Sequence, residues 1–242
     1  MVEKKRKLYD LTPPFSRDIP TYAMSLKVYN PPMIATYSHM DGTPTRPDKG
    51  IYDTLISFFA HTGCHFDAPA HFSKDGWTLD KVPLDRMVGD GGVVSIPKGE
   101  LEEITPEDLQ RAIPKIGKGD LVVINTGWHK NYVGPITDWE KAVYYATKNP
   151  GLLKESAEWL VKQGIKTVLV DYCGVDHAKY TERGDNSWAV HKTFLTNNVP
   201  MVQLLGGQID EVTGKRCTII CAPIKYMGGD GFPVRVIAMV EE

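Results

Sequence analysis

The chain has 242 residues, 42% of them hydrophobic and 24% charged, with 28 Lys and Arg against 30 Asp and Glu for a formal net charge of −2. A chain of this size builds one domain core, here taken as residues 1–242, without disulfide staples, and its balanced charge argues against nucleic acid or an anionic membrane surface as a partner. No apolar run reaches the ~18 residues of a membrane span, and the basic start Glu3-Lys4-Lys5-Arg6-Lys7 leads into Asp10, Pro13 and Pro14 rather than a signal-peptide core, so a cytoplasmic protein with a solvated tail is expected.

Residues 1–50 are rich in proline (Pro13, Pro14, Pro20, Pro31, Pro32, Pro44, Pro47) and predict short strands joined by long loops. The apolar run Leu55 to His61 predicts a buried strand ending at Gly63, and Gly92 to Ile96 predicts another. A helix is expected after Thr105, with Pro106 at its first position and Glu107 and Asp108 at the positive end of its dipole. Leu121 to Thr126 reads as a strand closed by Gly127. Helices follow over Asp138 to Lys148 and over Leu152 to Gln163, the second with Leu152, Leu153, Ala157, Leu160 and Val161 on one face and Gly164 as its stop. Thr167 to Asp171 predicts a strand and Trp188 to Leu195 a helix. Met201 to Leu205, Arg216 to Ala222 and Val234 to Val240 complete the strands. Strands and helices alternating from 92 to 205 imply βαβ units. The additional strands at both ends imply a mixed sheet, curled towards a barrel.

The four cysteines are expected as buried free thiols. Cys217 and Cys221 share one predicted strand, where four residues span about 13 Å, too far for a bridge. There is no Cys-x-x-Cys spacing to suggest a zinc knuckle.

Chemistry concentrates in His61-Thr62-Gly63-Cys64-His65-Phe66-Asp67-Ala68-Pro69-Ala70-His71, which holds three of the chain's seven histidines and an aspartate. Imidazole nitrogen and carboxylate oxygen are the ligands of zinc and manganese. Gly63 and Pro69 oppose a helix, so a strand end turning into a loop is expected. His65 and Asp67, two residues apart, then point the same way, and Gly63 lets the turn bring His61 alongside. Three protein ligands leave positions for water and substrate, the catalytic pattern rather than the closed structural one.

This segment resembles the signature H-x-G-T-H-x-D-A-P-x-H of the metal-dependent cyclase-like hydrolases, a family that includes bacterial kynurenine formamidases, isatin hydrolases and trans-dienelactone hydrolases. Tyr9-Asp10-Leu11-Thr12, Asn125-Thr126-Gly127-Trp128, Pro150-Gly151-Leu152, Cys221-Ala222-Pro223 and Gly231-Phe232-Pro233-Val234-Arg235 resemble the family's other landmarks. Cys64 stands where the family usually has Thr, which removes a hydroxyl but no ligand. The resemblance implies an α/β chain with the family's swivelling β/β/α fold, and a homodimer or dimer of dimers. It implies His61, His65 and Asp67 as metal ligands and His71 as general acid/base. His191 matches a position in the second shell or against the substrate. Gln203 matches a metal-site position where Glu accompanies two zinc ions and Gln a single metal, so one divalent metal per chain is expected, manganese before zinc. This pattern is nearest that of the isatin hydrolases. The expected reaction is hydrolysis of a small cyclic or aryl-linked amide, an isatin-like lactam or arylformamide, by a metal-activated water. Ester or lactone hydrolysis at the same site is the alternative chemistry, and a non-catalytic metal-binding protein the alternative class.

The remaining signals are weaker. His39, His129 and His177 read as loop residues, and Trp77, Trp128, Trp188 and Phe66 as core aromatics before an aromatic wall. Gly91-Gly92 and Gly228-Gly229-Asp230-Gly231 lack the pattern of a phosphate loop, and no Gly-x-Ser-x-Gly elbow supports a serine hydrolase. Loops in residues 15–50 and 128–140 are expected to set the substrate.

Overall fold

The computed structural model describes residues 5–17, 19, 32–38, 53–132, 134, 138–180 and 187–241. His39 and most of the proline-rich segment therefore lie outside the described residues. In chain order the strands are β1 (Arg6–Asp10), β2 (Met33–Ser38), β3 (Asp53–Ser57), β4 (His65–Asp67), β5 (Val88–Ser95), β6 (Glu103–Ile104), β7 (Leu121–Asn125), β8 (Gly151–Leu152), β9 (Thr167–Val170), β10 (Met201–Gln203), β11 (Arg216–Ile220), β12 (Gly231–Pro233) and β13 (Ile237–Glu241). The helices are α1 (Pro106–Arg111), α2 (Trp139–Thr147), α3 (Lys154–Gln163), α4 (Ala189–Thr196) and α5 (Ile209–Val212).

Nine strands form one mixed, curled sheet in the order β1-β13-β11-β5-β7-β9-β10-β4-β12. Its centre, β5-β7-β9-β10, is parallel, and both flanks are antiparallel. Every residue of β7 is buried, because helices cover one face and strands with α5 cover the other. Val122, Ile124, Val168, Val170 and Met201 join a core with residues of α2, α3 and α4. Leu121, Val123, Leu169 and Val202 join a second core with Phe66, Leu11, Ile219 and Val212. A parallel strand buried on both faces reads as a continuous apolar run rather than an alternation, which is the sequence of β7 and β9.

Local chemistry sets the helix ends. Thr105 and Asp108 form a reciprocal capping box on α1. Asp138 accepts the Lys141 N–H at the start of α2. Gly164 closes α3 at φ +76°. α3 starts at Lys154 rather than Leu152, since Gly151 and Leu152 pair with Glu103 and Ile104 as a short parallel ladder. Of the strand expected over Val234 to Val240, only the second half forms: β12 ends before it, at Pro233, and β13 begins at Ile237.

The expectation of a buried strand over Leu55 to His61 is corrected. β3 ends at Ser57 and pairs only with β2, in a separate two-stranded sheet. Its Leu55 is 44% and its Ile56 48% exposed. A short apolar run has no periodicity that separates a core strand from a strand on an uncovered hairpin. All four cysteines are free and buried, as expected. Trp128 and Phe66 are core residues. Among the described residues no helix is long and apolar enough to cross a membrane.

Candidate metal centre

β4 lies between β10 and β12, with Gln203 and Pro233 opposite His65 and with Met201 and Gly231 opposite Asp67. The pleat turns His65 and Asp67 to one side and Phe66 to the other, into the second core. Directly paired residues share a face, so Gln203 stands with His65 and Asp67. Gly63 adopts φ +67°, a left-handed conformation that reverses the chain and brings His61 back over Asp67. The expected turn at Gly63 is therefore present, although it leads into β4 and does not end the strand expected before it.

Ligand atoms of His61, His65 and Asp67 all lie within 4.8 Å of one another. His61 Nδ1 is 2.6 Å and His65 Nε2 3.2 Å from Asp67 Oδ1. The opposite nitrogens are engaged away from that point. His65 Nδ1 meets the Gly63 carbonyl at 2.7 Å, and His61 Nε2 meets Asp230 Oδ2 at 2.9 Å. A carbonyl accepts and cannot donate, so His65 carries its proton on Nδ1 and presents Nε2. An outward bond of this kind fixes the tautomer and orientation of a ligating histidine.

Gln203 donates from Nε2 to Asp67 Oδ2 at 2.6 Å, and the same nitrogen lies 3.2 Å from His191 Nε2. Its amide hydrogens, not its oxygen, thus face the cluster. As a metal ligand it would present Oε1 after a rotation of the amide. His191 is buried on α4, with Nε2 3.7 Å from Asp67 Oδ2 and Nδ1 hydrogen-bonded to Asp176 Oδ2. Asp176 also accepts the backbone N–H groups of Val190 at 2.8 Å and His191 at 3.2 Å, so one carboxylate caps α4 and orients its histidine.

His71 closes a single 3-10 turn, Pro69–His71, directly after the ligand strand. Its ring stacks on His61 with centroids 3.9 Å apart, and its Nδ1 is 3.3 Å from Asp230 Oδ2. Trp188 and Phe72 surround His191 at 5.2 and 5.1 Å between ring centroids, so Trp188 of the suggested aromatic wall does stand beside the cluster. His129 and His177 do not join it. His129 is paired with Asp171 and Asp210, and His177 hydrogen-bonds the Leu101 carbonyl.

Asp230 and Asp176 are the two site residues that sequence reasoning missed. Asp230 lies in the glycine-rich Gly228–Gly231 segment, 169 residues from His61 and 159 from His71. The available signal was an acid flanked by glycines on a loop, where functional side chains concentrate.

Burial opposes charge at His61, but Asp67 and Asp230 outweigh it and raise its pKa from 6.5 to about 9. Burial also opposes ionisation of Asp67, yet His65 and His61 hold its pKa well below the usual value of 3.8. Burial lowers His71 to about 4, with His61 and His191 reinforcing the shift. The donor set fits a divalent cation. Asp67 is fully buried, and a buried carboxylate requires a compensating positive charge. In the metal-free chain that charge is a proton on His61. A cation at the same point replaces the proton, and the nitrogen and oxygen donors suit zinc or manganese.

A family model described as "Putative cyclase" matches residues 9–177. The chain is 28% identical over 177 residues to the kynurenine formamidase of Salinibacter ruber, covering 73% of this chain and 74% of that protein. It is 25% identical over 233 residues to the kynurenine formamidase of Delftia acidovorans, covering 96% and 97%. It superposes on isatin hydrolase A from Ralstonia solanacearum with a TM-score of 0.80 at 26% identity, covering 98% of this chain and 92% of that one.

Proposed function

The chain belongs to the cyclase family, and we propose that it is a metal-dependent hydrolase of a small amide, its C–N bond cyclic as in isatin-like lactams or aryl-linked as in arylformamides. One observation carries this reading: His61 Nδ1 and His65 Nε2 converge on a buried Asp67 oxygen, while His71, outside that convergence, stacks on His61. A binding site alone needs the three donors and has no use for the fourth ring. The kynurenine formamidase and isatin hydrolase relatives support hydrolysis of such amides.

The divalent cation, when held by His61, His65 and Asp67, supplies Lewis acidity that polarises the substrate carbonyl and lowers the pKa of water from 15.7 towards about 7. His71 is neutral at pH 7, since burial holds its pKa at about 4, and it can therefore accept a proton. As water attacks the carbonyl carbon, His71 takes its proton. As the C–N bond breaks, His71 returns that proton to the departing nitrogen. Gln203 holds Asp67 in place by donating to its Oδ2. Asp176 does the same for His191, whose Nε2 borders the cluster.

The proposal extends to one metal per chain, manganese before zinc. Among the described residues Asp67 is the only carboxylate at the convergence point, and Gln203 is neutral. Two dications there would leave a net charge of about +3 in a partly dry pocket, where unpaired charge is costly. It extends also to a homodimer or dimer of dimers, supported by the uncovered apolar side chains Met33, Leu55, Ile56 and Phe59 on and beside the β2–β3 hairpin. The deciding experiment is a turnover screen of N-formyl aromatic amines, isatin-like lactams and unsaturated lactones, with manganese and with zinc. Cleavage of lactones alone would transfer the assignment to esters, and no turnover in any arm would remove it.

A further inference from the structure

We infer that Asp230 is a shared positioning residue, one carboxylate oxygen orienting both the metal-ligating His61 and the proton-transferring His71. This assignment rests on the hydrolase reading above and adds to it a residue from the far end of the chain.

Asp230 Oδ2 lies 2.9 Å from His61 Nε2 and 3.3 Å from His71 Nδ1. A carboxylate oxygen only accepts, so both nitrogens must carry hydrogen. When His61 serves as a ligand, its proton stays on Nε2 and Nδ1 is left for the cation, beside Asp67 Oδ1. The same oxygen likewise places hydrogen on His71 Nδ1 and leaves Nε2 as the nitrogen for proton transfer. One oxygen therefore selects the working nitrogen of two rings, and their 3.9 Å stacking keeps them in register. Interactions of this type, one step out from the metal, are typically worth about 10–100-fold in metal affinity or activity.

The loop is built to hold this carboxylate. The Asp230 carbonyl accepts the Ala68 N–H at 2.8 Å, tying the loop to the turn that carries His71, and the Gly229 carbonyl accepts the Leu79 N–H at 2.7 Å. The Tyr226 hydroxyl lies 3.2 Å from the Gly231 carbonyl and 3.4 Å from Asp230 Oδ1, so it meets the carboxylate at Oδ1 and leaves Oδ2 to the histidines. Gly231 packs against His61, where a Cβ would come within 2.6 Å of ring atom Cε1. The Asp230 side chain is 47% exposed, so water screens its charge. Its contribution is the choice of tautomer rather than bulk electrostatic stabilisation.

Asp230→Ala and Asp230→Asn test this, since asparagine keeps an acceptor oxygen and loses the charge. Zinc affinity is measured by chelator competition, and ring protonation is read by ¹⁵N-histidine NMR on the zinc-loaded protein. Asp230→Ala is expected to weaken zinc binding by about 10–100-fold and to give mixed tautomers at His61 and His71. Asp230→Asn is expected to restore the native tautomers and most of the affinity. With a turned-over substrate, the alanine variant should lower kcat more than it raises KM. Unchanged affinity and ring signals in Asp230→Ala would overturn the proposal. So would a second zinc equivalent retained by the natural chain and lost in Asp230→Ala, because His61, His71 and Asp230 would then be a second metal site. Affinity and NMR need no substrate, so they decide the role of Asp230 even if the screen for amide hydrolysis finds none.

Discussion

Gln203 donates to Asp67 Oδ2 at 2.6 Å across the antiparallel pair of β10 and β4. The contact joins a neutral amide to a buried carboxylate. Gln203→Glu replaces this hydrogen bond with two facing carboxylates. One of them must then stay protonated or both must share cations. The variant is expected to bind more zinc than the natural chain, for which a single equivalent is expected, and to be less stable when metal-free. Elemental analysis of both proteins after reconstitution and desalting measures the first, and urea melts with chelator the second. Two equivalents retained by the unmodified chain would remove the single-metal reading.

His71→Ala separates chemistry from metal binding. The ring contacts Asp230 and stacks on His61 but stands outside the convergence on Asp67. The expected result is a kcat lower by about 10²–10⁴, the usual worth of a general acid/base, with metal content retained. Loss of the metal in this variant would make His71 a ligand.

The metal-free protein is expected to be most stable near pH 6.5, with losses on both sides. His61 is raised from 6.5 to about 9. Its contribution is fully present below 6.5 and is lost as pH rises through about 9. His71 is lowered from 6.5 to about 4. The fold favours its neutral form, so its contribution is present above 6.5 and is lost as pH falls towards 4. Urea melts of chelated protein across this range measure the optimum. His71→Ala should flatten the acid limb and leave the alkaline one, and a natural chain with a pH-independent midpoint would contradict both assignments.

A second copy of the chain is expected to cover the exposed hairpin residues Leu55 and Ile56. Light scattering at micromolar concentration should give a multiple of 27.0 kDa, and Ile56→Asp should shift it towards the monomer. A natural chain that scatters as a monomer ends this expectation.

The core of the site was legible because its donors are local. His61, His65, Asp67 and His71 lie within eleven residues, and strand pleating plus a left-handed glycine suffice to aim them. The parallel centre was legible for a similar reason: β7 and β9 read as unbroken apolar runs between helices with clear caps. His191 and Gln203 carry no such local signal, since a histidine in a helix and a glutamine in an apolar strand have ordinary packing explanations. Only the family resemblance singled them out. Asp230 and Asp176 stayed hidden because their partners are brought close by sheet order and loop packing. No pattern along the chain records that β12 lies beside β4, or that Asp176 points at α4 while its neighbour His177 turns away.

Gly231 and Gly228 offer a paired test of how the Gly228–Gly231 segment serves the site. A Cβ at Gly231 would lie 2.6 Å from His61 Cε1 and 2.7 Å from the Phe66 carbonyl oxygen. The backbone of β4 cannot yield without moving His65 and Asp67, so the displacement falls on the His61 ring. Overpacking of this kind costs about 1–3 kcal/mol, and here it also pulls His61 Nδ1 away from Asp67. Gly228 has φ +73°, and a Cβ there would meet no described atom within 4 Å. Alanine at that position strains the backbone by about 1 kcal/mol and touches no ligand. Gly231→Ala is therefore expected to lose metal affinity and stability together, and Gly228→Ala to lose stability alone. Melting curves and chelator competition on the two variants separate the cases. Equal metal affinity in both would mean that the His61 ring has room to shift, and that its position is set by Asp67 and Asp230 without help from the glycine.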